Sequence, residues 1–362
     1  MPPLQRTGLT VLLLASISTL GAGCAESTDK DLKVRVTSLG IPDTPWHDFW
    51  LRFATTLEER DAAEEIDLDL FISGELGSEE TALANLRRGR VQIGGFALQG
   101  VATLIPELNV LLAPYLFDSR EEAAFVMDNY LSDAYSKLFA EKGLKLIQWS
   151  EVGWFYVYGK QPLLTPDATR GISMRSSNAL GSRYFAEAIG ADLIPLSFAE
   201  VIPALQTNLI ESGQTGVGMY TLAGIAKAAP HLVLTRHAFD MGPILANKVW
   251  YDGLPERFRR LIFDSIESAE VNRTLIRAAL DNYFRNSLPA MDVTVHELSE
   301  QQQAQWRTVA LPTHQLLLRD TGGQAEHIYA LVQRGKAEFS IRKGVSRLDS
   351  RLRGNGGLQG EL

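Results

Sequence analysis

Among the side chains of this 362-residue chain, Arg175 is the one best placed to do chemistry. It closes the short run Gly171, Ile172, Ser173, Met174, which reads as a strand. Open α/β sheets gather ligand groups at the C-terminal ends of their strands. A planar guanidinium makes two parallel charge-assisted hydrogen bonds to a carboxylate, so the position suits capture of an organic acid. The same side chain would also serve a structural ion pair between strands or domains. Residue sets for turnover are weak by comparison. The six histidines (His47, His231, His237, His296, His314, His327) show no metal-ligand spacing, and one cysteine cannot build a thiolate site. Ser173 lacks the closing glycine of a nucleophile elbow, and Gly216-Val217-Gly218 lacks the third glycine of a dinucleotide fingerprint. The adjacent glutamates Glu58 and Glu59, Glu64 and Glu65, Glu79 and Glu80, and Glu121 and Glu122 fall in helical segments, where a solvated face accounts for them. The residues therefore describe a binding protein with no catalytic group, metal or cofactor, whose site is a cleft with a few polar groups in apolar walls.

The elements around Arg175 set the fold class. From Arg170 to Tyr220 the apolar period alternates between two and about 3.6, giving strand, helix, strand, helix, strand. Upstream, Lys33 to Leu39 alternates as a half-buried strand, Trp46 to Arg60 is a helix, and Ile66 to Ser73 is a second strand. Trp46 and His47 follow the loop after the first strand and are candidates for the ligand site; His47 equally suits a surface position. A helix over Arg120 to Lys142 and a strand over Lys145 to Trp149 precede Glu151 to Gly159, which carries the chain into a second lobe. Ser197 and Glu200 have the spacing of a capping box, which assigns Glu200 to a helix start. Leu254 to Leu288 holds the longest helical pattern, opened by Pro255 and closed by Pro289. Continuous, such a helix spans roughly 50 Å, enough to cross two lobes. The expected organisation is α/β, with lobe I from 33–150 and 241–280 and lobe II from 151–240 and 281–340.

The ends of the chain speak to location. Met1 to Gly23 holds one charge, Arg6, then the run Val11 to Leu14 and small residues, the layout of a secretory signal peptide. Leu20, Gly21, Ala22, Gly23 and Cys24 resemble a bacterial lipobox, so lipidation of Cys24 is expected, with 24–32 as a linker; ordinary signal cleavage is the other reading. Loss of Arg6 with residues 1–23 moves the net charge from -8 to -9, an acidity that argues against nucleic-acid partners. The stretch 341–362, rich in arginine and glycine without an apolar period, reads as a disordered tail.

The wording GISMRSSNALGSRYFAEAIGADLIPLSFAEVIPALQTN resembles DctP-type solute-binding proteins, the periplasmic receptors of TRAP transporters. GELGSEETALANLRRGRVQIGG and PELNVLLAPYLF extend the resemblance, which runs from about Lys33 to about Phe339. It implies a two-lobed periplasmic-binding-protein fold with a ligand cleft and a long helix crossing both lobes. It also implies that Arg175 clamps a substrate carboxylate and that Phe198 lines the cleft, although Phe198 equally suits ordinary core. Three positions depart from polar relatives. A second arginine is replaced by Phe155, beside Trp154; a glutamate is replaced by Ala97, with Gln99 close by; and an asparagine falls on Thr215 or Gly216, since SGQTGVG admits both alignments. A buried hydroxyl left unpaired costs roughly 1–3 kcal/mol, so a monocarboxylate with an apolar or aromatic body is expected, packed on Trp154, Phe155 and Phe198. The implied partner is a TRAP-type membrane permease, with the receptor held at the membrane by a lipid anchor in the periplasm or at the cell surface. A sensory lipoprotein that reports the same ligand to a membrane kinase is the alternative.

Overall fold

The computed structural model describes residues 32–62 and 64–355, with side chains as far as 344. The proposed signal peptide and Cys24 lie outside the described residues. The strands are β1 (Leu32–Thr37), β2 (Ile66–Phe71), β3 (Ile93–Gly95), β4 (Leu144–Gly159), β5 (Ser173–Ser176), β6 (Asp192–Pro195), β7 (Ser212–Gly216), β8 (His231–Asn247) and β9 (Thr294–His296). They join in the order β2-β1-β3-β8-β4-β7-β5-β6, with β9 also on β8. β1 lies parallel to β2 and β3, and β5 lies parallel to β6 and β7. These two parallel sets are the sheets of two lobes. β4 and β8, 16 and 17 residues long and antiparallel to each other, run through both. The register between them shifts at Glu151 to Gly153, where Gly153 takes φ +105°. A bulge of this kind bends the strand, and here it marks the passage from one lobe to the other.

Local sequence explains the elements that flank the cleft. The helix Pro45–Arg60 starts where Thr44 accepts a hydrogen bond from the His47 amide, with Pro45 in the first turn. It buries Phe49, Trp50, Phe53 and Leu57 against Val34, Val36 and Ile93 of the first lobe. The helix Glu79–Arg87 opens on Ser78, whose side chain accepts from the Thr81 amide. In the second lobe, Ser197 and Glu200 form the expected capping box.

Three expectations are corrected. The pattern over 254–288 is two helices: Glu256–Phe263, and Ala269–Asn282, which continues through a π turn at Tyr283–Ser287 to Ala290. Ser268 caps the second by accepting from the Val271 amide, which gives the chain a fresh start after Asp264. Pro289 lacks an N–H, and the wide turn just before it is the adjustment such a residue imposes. The second helix still crosses the molecule. Asn272 Oδ1 accepts from Ser150 Oγ at the strand crossing, while Ile276, Leu280, Tyr283 and Leu288 join the second lobe's core. The C-terminal helices, expected with lobe II, divide between lobes: Trp306 and Ala310 pack with Phe185, but Leu317, Leu318, Ile328 and Val332 join the first lobe's cluster around Leu108 and Met127. Finally, the helix Ala325–Asn355 runs well past Ile341, where an unstructured tail was expected; 356–362 lie outside the described residues.

Candidate functional site

Arg175 is the third residue of β5, between Ile194 of β6 and Gly213 of β7. The side chain is 4% exposed. Its Nε donates to the Leu196 carbonyl at 3.1 Å, and its guanidinium carbon lies 6.0 Å from the centre of the Phe198 ring. Among the described residues it forms no ion pair; Glu79, Glu80 and Glu200 act on it only through space. Burial lowers its pKa from the usual arginine value without a direct carboxylate to oppose it. A structural ion pair, the other reading of this residue, is not what the fold builds.

A cavity of about 540 Å³ opens on this guanidinium. Its walls come from the ends of parallel strands in both lobes: 38–41 after β1, Gly95 at the end of β3 with Phe96 and Ala97 after it, Arg175, Ser177 and Asn178 around the end of β5, 196–199 after β6, and Thr215 with Gly216 in β7. Ser150 and Val152 of β4 and Asp240 and Gly242 of β8 form the part where the lobes meet. This is the position that the strand-end rule assigns to ligands in open α/β sheets.

Eight of the nine expected ligand-site residues line that cavity: Arg175, Phe198, Phe155, Trp46, Ala97, Gln99, Thr215 and Gly216. Phe155 and Gly216 are paired across β4 and β7. Phe198 also packs against the second lobe's core, so it has both of the roles open to it. Trp154 is the exception. Successive residues of a strand point to opposite faces, and Trp154 turns away to meet Phe239 edge to face at 4.8 Å. His47 is likewise outside the lining, with Nδ1 3.7 Å from Asp48 Oδ1. Trp46 has an additional role. Its indole N–H donates to the Glu151 carbonyl at 2.9 Å, and its ring covers Gly218, where an added Cβ would come within 2.8 Å. A first-lobe side chain thus rests directly on second-lobe backbone.

Glu79 and Asp240 are cavity residues that the sequence did not single out for binding. Read as part of a solvated helix face, Glu79 instead turns inward from the first helical position and accepts the Ala97 amide at 2.7 Å. Burial pushes its carboxyl up to about 8, against the lowering effect of that hydrogen bond. Asp240 is fully buried and accepts the Leu98 amide at 3.2 Å; burial pushes it up to about 7. The available signal for Glu79 was its place directly after the turn that follows β2, at a strand end rather than mid-helix. Asp240 lies inside a long apolar strand, where its charge alone marked it.

Residues 38–320 match the profile of the bacterial extracellular solute-binding proteins, family 7 (DctP). The chain belongs to this family. DctP-family proteins of the TRAP type are non-catalytic transport receptors that work outside the cytoplasm. The chain is 28% identical over 219 residues to the 2,3-diketo-L-gulonate-binding periplasmic protein of Escherichia coli, a match covering 60% of this chain and 66% of that one. It is 25% identical over 262 residues to the ectoine-binding periplasmic protein of Halomonas elongata, covering 70% and 76%. In structure it resembles a TRAP periplasmic solute-binding protein from Roseobacter denitrificans solved with bound β-D-glucuronate. That match has a TM-score of 0.77 and 23% identity, and covers 83% of this chain and 99% of the other.

Proposed function

We propose that this DctP-family protein captures an organic acid outside the cytoplasm and delivers it to a TRAP-type membrane permease. The observation that carries the reading is Arg175, a buried guanidinium in the cavity wall with a single backbone partner and no ion pair among the described residues. A substrate carboxylate supplies the missing anion and takes the free edge of the fork in paired hydrogen bonds. The aromatic walls support the finer reading of a monocarboxylate with an apolar or aromatic body, lying against Phe155, Phe198 and Trp46. Trp154 has no part in that wall. Arg175 and Phe198 belong to one lobe and Trp46 to the other, so a ligand touching all three favours the closed arrangement. Lipidation at Cys24 would keep the receptor beside its permease.

Mass spectrometry of small molecules released from the purified, denatured protein tests the reading, with Arg175→Ala prepared alongside. A carboxylic acid present in the wild type and absent from the variant is the expected result. A ligand retained by both, or one without a carboxylate, overturns it. Titration with glucuronate tests the finer part: submicromolar affinity for that polyhydroxylated acid would exclude an apolar-bodied substrate class.

A further inference from the structure

The helix Ala325–Asn355 changes the side on which its apolar residues lie. In its first half Ile328 and Val332 are fully buried, Gly335 lies against Tyr130, and the Phe339 ring meets that of Phe125 at 5.6 Å. Steps of four, three and four residues keep these positions on one side, the side that docks on the first lobe. From Ser340 to Gly344 every residue is exposed, Ile341 to 67%. Ile341 opens a second series, continued by Val345, Leu348 and Leu352, again in steps of four, three and four. At 3.6 residues per turn this series lies about 140° round the helix from the first. A continuous helix therefore cannot lay both series on the same surface.

Charge accompanies the second stripe. Between 341 and 355, Arg342, Lys343, Arg347, Arg351 and Arg353 stand against one acidic residue, Asp349, in a chain whose net charge is -8. Arg342 is engaged by Glu338 and lies over the Phe125 ring, which ties the start of the segment to the body. Basic residues suit the C-terminal end of a helix dipole, but a dipole asks for no apolar stripe. A second copy paired along the stripe would bring like charges together, whereas an anionic lipid surface accepts stripe and charge at once. No helix among the described residues is long and apolar enough to cross a membrane, so the geometry is that of a helix lying on one. The segment also lies beyond residue 320, where the match to the family profile ends.

We infer that residues 341–355 form a membrane-surface helix for an anionic phospholipid bilayer. Its apolar stripe enters the headgroup boundary and its basic residues meet the lipid phosphates. This contact is separate from lipidation of Cys24, and separate from the cavity, whose lining takes no residue from this helix.

Vesicle co-sedimentation of the chain from residue 24, carrying Cys24→Ser, tests it. Binding to vesicles of equal phosphatidylglycerol and phosphatidylethanolamine should be at least about tenfold stronger than to phosphatidylcholine, and should weaken steeply with added salt. Two triple variants separate charge from stripe. Arg347→Gln, Arg351→Gln and Arg353→Gln together should reduce the anionic preference to under about threefold. Val345→Asn, Leu348→Asn and Leu352→Asn together keep every charge and should lower binding by at least about tenfold. Both should keep the wild-type thermal midpoint, since the substitutions lie past the packed half of the helix. Equal binding to the two kinds of vesicle, or unchanged binding in either triple variant, overturns the inference. So does a dimer in sedimentation velocity that the asparagine variant abolishes while vesicles stay unbound, which would assign the stripe to a second copy. None of these failures touches the receptor reading, because the acid released from wild type and absent from Arg175→Ala is measured without vesicles.

Discussion

A guanidinium removed from water to which the protein gives no direct carboxylate partner costs stability, and among the described residues Arg175 is such a group. Arg175→Met should therefore leave the thermal midpoint unchanged or raise it, while lowering affinity for the released acid by about 100-fold or more, in line with the 2–5 kcal/mol lost when one partner of a buried charged pair is truncated. Scanning calorimetry and titration of the same preparation check both halves. A lower midpoint together with unchanged affinity would make Arg175 a structural residue. Glu79 predicts a pH dependence. Its folded value of about 8 lies above the ordinary 4.5, so the folded protein keeps a proton that the unfolded chain has released across that window. Its contribution to stability is therefore full below about 4.5 and declines as pH rises through about 8; Asp240 acts with the same sign. Glu79→Gln holds the neutral form at every pH, so its midpoint relative to the wild type should climb between pH 5 and pH 8.5. Arg175 was legible in the sequence because strand and strand end can be read from a short apolar run. The direction of Trp154 was not, since the face a residue takes depends on the bulge at Glu151 to Gly153, and register shifts leave no periodic trace.

Between elements, the strand crossing at Glu151 is held from two sides. Its carbonyl takes the Trp46 indole, and its fully buried carboxylate takes Arg277 Nε at 2.8 Å from the crossing helix Ala269–Asn282. Arg277 also reaches Glu121, and Arg273 one turn earlier pairs with Asp128. Burial raises the Glu151 pKa even against Arg277, so desolvation outweighs pairing, as it commonly does for buried ion pairs. Breaking such a pair is costly all the same. Arg277→Met should destabilise the protein by about 3–5 kcal/mol in urea unfolding, and adding Glu151→Gln should recover much of the loss by removing the stranded charge. A double variant no more stable than Arg277→Met would show that the helix is held by packing instead. The amphipathic pattern over 254–288 foretold helix and crossing, but the interruption after Asp264 is made by a cap at Ser268, and such a residue is as common on an exposed helix face. The lobe assignment of 313–340 was out of reach for a related reason. An apolar stripe states that a helix is buried and does not name the surface that buries it.

Across the whole molecule, capture depends on how often the two lobes present their halves of the site together. Trp46 belongs to the first lobe, is tied to the Glu151 carbonyl and lies on Gly218 of the second, so one contact links hinge, cleft wall and opposite lobe. The apparent dissociation constant of a receptor is its intrinsic value divided by the fraction of molecules in the competent arrangement. Gly218→Ala tests this directly, because the new methyl would sit 2.8 Å from two carbons of the Trp46 ring, too close for either to remain in place. Arg175, and the carboxylate contact proposed for it, are untouched by that change. The expected outcome is a loss of affinity of about tenfold, carried by faster release, with Arg175→Ala abolishing binding in the Gly218→Ala background as it does alone. Small-angle scattering should show a smaller contraction on ligand addition than in the wild type, and stopped-flow displacement should show the faster off-rate. An unchanged off-rate would mean that Trp46 supplies wall area and has no part in holding the lobes together. Closure would then be driven by the ligand alone, through the groups each lobe presents to it.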